Sequence, residues 1–294
     1  MKITVNGIKC SYSIYGTGKP VIAIHGYGID HRVMKGCMEP VFKGLPKNLQ
    51  QESQENASKI LSGWQRIYFD LPGMGTSTGA DKIKNADGML EFVIGFINKV
   101  VGDKNFLVIG YSYGGYLARA ISFIVPERIE KLFLLCPVVI PDKRLRTLPE
   151  HTEIMKDEEF LSELNRKESE DFRKTFVIQT RRTWERYSKE IFPAIANVDS
   201  GFIRRYYREG YAFSFDKYRE GKYFDNYKGK TVILTGKQDS IVGYTDVFPL
   251  IKHYPRATFT VLDGAGHNLQ IEQEDEFNHI FRRFLFSSKQ SPGS

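Results

Sequence analysis

Short apolar runs punctuate the chain at residues 21–24, 66–69, 106–109, 131–135, 231–234 and 258–262. They are dominated by aliphatic and aromatic residues and are bounded by turn residues, the pattern of strands buried on both faces. Between most of them lie segments of helical periodicity, at 87–101, 112–125, 245–253 and 274–286. Strands alternating with helices predict an α/β fold: a mostly parallel central sheet with helices on both faces. Ahead of this pattern, residues 2–5 and 9–15 flank Asn6-Gly7, a pair that readily adopts the positive φ angles of a type I′ turn. That hairpin should add antiparallel strands at one edge.

One stretch breaks the alternation. Residues 137–228 hold no clear buried strand but carry amphipathic, charge-rich pieces at 153–168, 170–187 and 203–207. They are expected to form a helical insertion, a cap standing over the strand ends. The core would then comprise residues 1–136 and 229–287. A smaller insertion at 46–62, rich in Gln, Glu, Asn and Ser, has the composition of an exposed loop or frayed helix. Residues 288–294 look like a flexible tail.

Composition excludes several classes. No apolar run approaches the ~18 residues of a membrane span, and the first residues lack a signal peptide's apolar stretch, so a cytoplasmic location is expected. Cys10, Cys37 and Cys136 are too few and scattered for a disulfide framework and sit in no metal-binding spacing. They are expected to be core thiols. The net charge is +7, but the basic residues are interleaved with acids and form no nucleic-acid motif. A solvated basic surface is the expectation, with no nucleic-acid partner. Oligomeric state is not legible.

The chemistry centres on Gly110-Tyr111-Ser112-Tyr113-Gly114, between the run 106–109 and a helical segment. A Gly-x-Ser-x-Gly turn from strand to helix projects a serine hydroxyl above the sheet edge. That hydroxyl needs a base to take its proton, and His267 in Asp263-Gly264-Ala265-Gly266-His267 follows the last strand. Asp239 follows the strand before it and could orient the histidine. All three would then stand at C-terminal strand ends, in the order Ser, Asp, His. The loop His25-Gly26-Tyr27-Gly28 ends the run 21–24 and could aim a backbone N–H at a developing oxyanion. Tyr27 and Tyr113 are the candidate donors.

With Asp70-Leu71-Pro72-Gly73-Met74-Gly75-Thr76-Ser77, these motifs resemble the α/β-hydrolase superfamily, in its serine-hydrolase form with a helical cap. The resemblance covers residues 1–137 and 229–287. It implies Ser112 as nucleophile, His267 as general base and then acid, and Asp239 as the carboxylate fixing its tautomer. In some members the acid follows the earlier strand, which would nominate Asp142. His25 usually supports the loop in this pattern, and Asp30-His31-Arg32 reads as a helix start. Related dehalogenases and epoxide hydrolases place aspartate where Ser112 stands, which argues against both.

The expected activity is a carboxylesterase-type hydrolase acting on a small ester-like molecule through an acyl-enzyme. The same constellation serves thioesterases, lactonases, amidases or aminopeptidases and C–C bond hydrolases, and fold analogy cannot choose among them. A ligand-binding receptor with little turnover is the alternative from another class. No cofactor and no metal are expected, since phosphate-loop, dinucleotide and His-Glu-x-x-His motifs are all missing. Tyr111, Trp184, Tyr206 and Tyr207 are candidates to touch substrate, although packing is an equally open role for such aromatics. Arg181-Arg182 and Arg204-Arg205 could meet an anionic substrate or simply face solvent.

Overall fold

The computed structural model describes residues 1–43, 62–167, 169–220 and 222–286. The loop expected at 46–62, apart from Ser62, and the tail at 288–294 lie outside the described residues.

The strands of the main sheet are β1 (Lys2–Val5), β2 (Ile8–Tyr15), β3 (Lys19–Ile24), β4 (Trp64–Phe69), β5 (Phe106–Tyr111), β6 (Ile129–Leu135), β9 (Lys230–Gly236) and β10 (Ala257–Leu262). Two very short strands, β7 (Met155–Lys156) and β8 (Ile178–Gln179), pair with each other in the insertion. The sheet runs β1-β2-β4-β3-β5-β6-β9-β10. β1 and β2 form the hairpin, with Asn6 at φ 50° and Gly7 at φ 77°. β2 is antiparallel to β4, and every later pairing in the sheet is parallel. β5 is buried along its whole length, and each of its large aliphatic side chains contributes about 1.5–3 kcal/mol of burial.

Three helices connect the first parallel strands: α1 (Arg32–Lys43), α2 (Ala86–Val101) and α3 (Tyr113–Ile124). The connection through α1 steps from β3 towards the hairpin edge, whereas α2 leads back past β3 to β5. Parallel crossovers are right-handed, so opposite steps put α1 and α2 on opposite faces. α3 continues in the direction of α2 and packs beside it, while the closing helix Glu274–Phe286 packs on α1. The loops after β3 and β5 therefore part towards opposite faces and leave a crevice at the C-terminal strand edge.

Between β6 and β9 the chain is helical but more broken than its amphipathic pattern suggests. In order come α4 (Glu158–Glu163), α5 (Glu170–Thr175), α6 (Arg181–Arg186), a π-helical turn at Tyr187–Ile191, α7 (Phe192–Ile195) and α8 (Ser200–Glu209). The expected helix over 170–187 is interrupted because Thr180 caps a new helix, exchanging hydrogen bonds with Thr183 in a capping box. The segment expected to be helical at 245–253 is a 3₁₀ turn followed by α9 (Phe248–Ile251), with Pro249 in its first turn. The chain closes with α10 (Leu269–Glu272) and α11 (Glu274–Phe286). No helix among the described residues is long and apolar enough to cross a membrane.

Candidate active site

Ser112 stands between β5 and α3 with φ 56° and ψ −116°, a conformation side chains rarely adopt. The surrounding backbone holds it there. Its N–H donates to the Leu135 carbonyl (3.0 Å), and its own carbonyl accepts from Gly115 (2.9 Å) and Val138 (3.0 Å). Gly114 is needed for close approach, since a Cβ there would lie 2.1 Å from the Ile24 carbonyl oxygen on β3. The strained turn is thus wedged between the ends of β3 and β6.

Two more loops converge on this serine. His267 Nε2 lies 3.0 Å from Ser112 Oγ, and its Nδ1 lies 2.8 Å from Asp239 Oδ2. The Asp239 carboxylate is fully buried, and its second oxygen accepts the N–H groups of Ile241 (2.9 Å) and Val242 (3.0 Å). With the carboxylate fixed by backbone donors, Nδ1 carries the proton and Nε2 faces the serine as acceptor. Asp142 lies elsewhere, bound to Arg144 and Arg219 on the surface, and these cations hold its carboxyl below the usual range.

The loop after β3 approaches from the other side, and a Cβ on Gly26 would sit 3.1 Å from Ser112 Cβ. His25 is completely buried. Its Nε2 accepts the Leu71 N–H (3.0 Å), so Nδ1 bears the proton that goes to the Gly26 carbonyl (2.7 Å). Burial lowers its pKa, which keeps it neutral and structural. Among the described residues, the backbone N–H groups of Tyr27 and Tyr113 have no hydrogen-bond partner. For Tyr113 this follows from its place in the first turn of α3.

The side chains of these two tyrosines reach the same element of the insertion. The Tyr27 hydroxyl donates to the Ile203 carbonyl of α8, and the Tyr113 and Tyr206 hydroxyls are 2.5 Å apart. The rings of Tyr27 and Tyr206 stack, with Tyr211 edge-on to Tyr27.

A cavity of about 650 Å³ opens above Ser112 and His267, lined by both the core and residues of the insertion. Tyr111 and Tyr207, two of the residues expected to touch substrate, line it. Tyr111 also anchors the histidine loop, its hydroxyl reaching the His267 carbonyl (3.2 Å) and Asn268 Oδ1 (3.3 Å). Trp184 and Tyr206, also expected to meet substrate, do not line it. Trp184 packs within the insertion against Phe172 and Tyr187, and the Tyr206 hydroxyl is occupied by Tyr113. The arginine pairs also stand away from the cavity: Arg181 binds Glu163, Arg182 binds Glu274, and Arg205 lies over the Phe202 ring.

Glu272 is a residue the sequence did not single out. Its buried carboxylate accepts N–H groups from Gly266 (2.6 Å), beside His267, and from Val177 (2.6 Å) of the insertion. Burial raises its pKa to about 7. In the sequence it resembles any acid of a short helix.

Among the described residues, two clusters bring several possible metal-ligating atoms close together, Cys136-Asp239-His267 and Asp30-His31-Asp70. In each, the carboxylates already have partners. Asp239 and His267 bind each other, and burial keeps the Cys136 thiol protonated. Asp30 is bound by Arg32, while Asp70 takes His31 Nδ1 (2.6 Å) and the Thr76 N–H (3.0 Å).

A family model described as the alpha/beta hydrolase fold matches residues 19–274. Among solved structures, an alpha/beta superfamily hydrolase from Oenococcus oeni PSU-1 is 29% identical, with a TM-score of 0.80 over 98% of this chain and 100% of that one. A thermophilic esterase from Thermogutta terrifontis is 18% identical, with a TM-score of 0.62 over 97% of each chain. A 2-hydroxymuconate semialdehyde hydrolase from Pseudomonas putida is 21% identical, over 97% of this chain and 93% of its own.

Proposed function

The chain belongs to the α/β hydrolase fold family, and from that premise we propose that it is a serine hydrolase of the carboxylesterase type. Ser112 Oγ attacks the substrate carbonyl while His267 Nε2 takes its proton and Asp239 holds the resulting imidazolium. The N–H groups of Tyr27 and Tyr113 receive the oxyanion. The bond to the leaving alkoxide then breaks, and His267 returns the proton to it. Water, deprotonated by the same histidine, attacks the acyl-enzyme and releases the acid with free Ser112. Residues 137–228 act as the cap that shapes the substrate cavity.

The observation that carries this reading is the unbroken hydrogen-bonded chain from Ser112 through His267 to buried Asp239. The two unpartnered N–H groups lend it further support. A second reading, hydrolysis of a carbon–carbon bond by the same residues, draws on the likeness to the Pseudomonas putida hydrolase. Fluorophosphonate labelling located by mass spectrometry, beside 4-nitrophenyl ester hydrolysis, tests the proposal. The adduct should map to Ser112, and Ser112→Ala or His267→Ala should lower kcat by roughly 10⁴-fold or more. Labelling without ester turnover would favour carbon–carbon cleavage. Neither labelling nor turnover would favour a receptor.

A further inference from the structure

Among the described residues, three cationic side chains line the cavity above Ser112, Lys143, Arg144 and Arg146, against a single acid, Asp171. Their partners show where the charge is left uncompensated. Arg144 shares the Asp142 carboxylate with Arg219 (2.7 Å to each), so one acid serves two guanidinium groups. Arg146 has no acidic partner among the described residues: its Nε is held by the Ile140 carbonyl (2.8 Å), Nη1 by Ile241 (2.9 Å) and Nη2 by Pro141 (3.1 Å), with the Tyr211 phenol beside it. Its hydrogen bonds are made but its charge is not cancelled. Lys143 has no acidic partner among the described residues.

This positive field adjoins the chemistry. Ile241, whose carbonyl holds Arg146, gives its N–H to Asp239, so cation and catalytic-loop acid grip one peptide segment. Ile29, Val138 and Val242 add apolar lining to the same cavity. A low-dielectric wall strengthens an uncompensated charge.

We infer, on the footing of the serine-hydrolase reading, that the substrate is a carboxylate-bearing ester whose anionic group lies remote from the scissile bond and meets Lys143 and Arg146. The apolar lining takes the chain between the two ends. Lys143 makes the direct contact, while the anchored guanidinium of Arg146 supplies a fixed field.

Two substrate pairs test this. The first sets 4-nitrophenyl hydrogen adipate against 4-nitrophenyl hexanoate, with the charge on the acyl side. The second sets the butyrate ester of 4-hydroxybenzoate against phenyl butyrate, with the charge on the alcohol side. The ratio of kcat/KM, charged over neutral, should be about tenfold in at least one pair, fall on adding salt, and drop in Lys143→Gln and further in Lys143→Glu. Thermal melts of both variants check folding. Ratios near one in both pairs, or a preference that survives Lys143→Glu, overturn the inference while ester turnover leaves the serine reading standing. No turnover of any ester and no adduct on Ser112 overturn both.

Discussion

Glu272 is nearly out of water, 8% exposed, and its hydrogen-bond partners are backbone N–H groups. The unfolded chain ionises such an acid near 4.5, and the folded chain near about 7. Between those values the folded protein holds a proton the unfolded chain has lost. The stability this group contributes is therefore whole below about 4.5 and is lost as pH rises through about 7, ~3 kcal/mol in all. Glu272→Gln removes the titration, so urea unfolding of wild type and variant should converge or cross between pH 5 and pH 8. Parallel stability curves would show that Glu272 does not titrate in this window. Ser112 teaches a related lesson about legibility. Its motif was plain in the sequence, but its strain exists only because β3 and β6 confine the turn.

At the scale of elements, the buried strands were readable because each fills both faces of the sheet and so needs an unbroken apolar run. The insertion was less so. Its helices are short, and Thr180 ends one amphipathic run by capping the next, a competition between local patterns that periodicity averages away. Nor could the sequence separate the aromatics that line the cavity from those that pack. Tyr207 faces the cavity while Tyr206, its neighbour on α8, turns inward to Tyr113. That contact makes Tyr206 a positioning residue for one of the proposed oxyanion donors. Tyr206→Phe should lower kcat on a 4-nitrophenyl ester about tenfold while KM moves little, because a donor is displaced rather than removed. A melt shifted down with kcat unchanged would reduce the contact to packing.

For the whole molecule, the site was legible to the extent that its parts follow strands. Ser112 and Asp239 each stand just beyond a buried run, and His267 follows β10, which the sequence made a buried strand but which is the half-exposed edge of the sheet; parallel topology brings all three to one edge. The cavity's charges escaped notice because Lys143, Arg144 and Arg146 look like an ordinary basic stretch until the fold sets them along the cavity. What joins core and insertion is also tertiary. Arg119 of α3, 1% exposed, pairs with Asp225 (2.6 Å) ahead of β9 and donates to the Val138 and Val139 carbonyls just after β6. One buried ion pair thus clasps both ends of the insertion. Asp225→Ala strands the guanidinium and should cost about 3–5 kcal/mol in urea unfolding, whereas Arg119→Met with Asp225→Leu should recover part of that loss.

The grip of α8 on Tyr27 and Tyr113 sets a boundary for anyone rebuilding this protein. Both phenols reach α8, while the amides of the same residues are the proposed oxyanion donors. A graft that kept every core residue and exchanged the insertion for a relative's would leave two aromatic anchors with nothing to hold. Its proposed nucleophile, base and acid would be intact, and the two amides would be free to drift. In this molecule, changing what the pocket accepts and preserving how the proposed reaction is driven cannot be handled as separate modules.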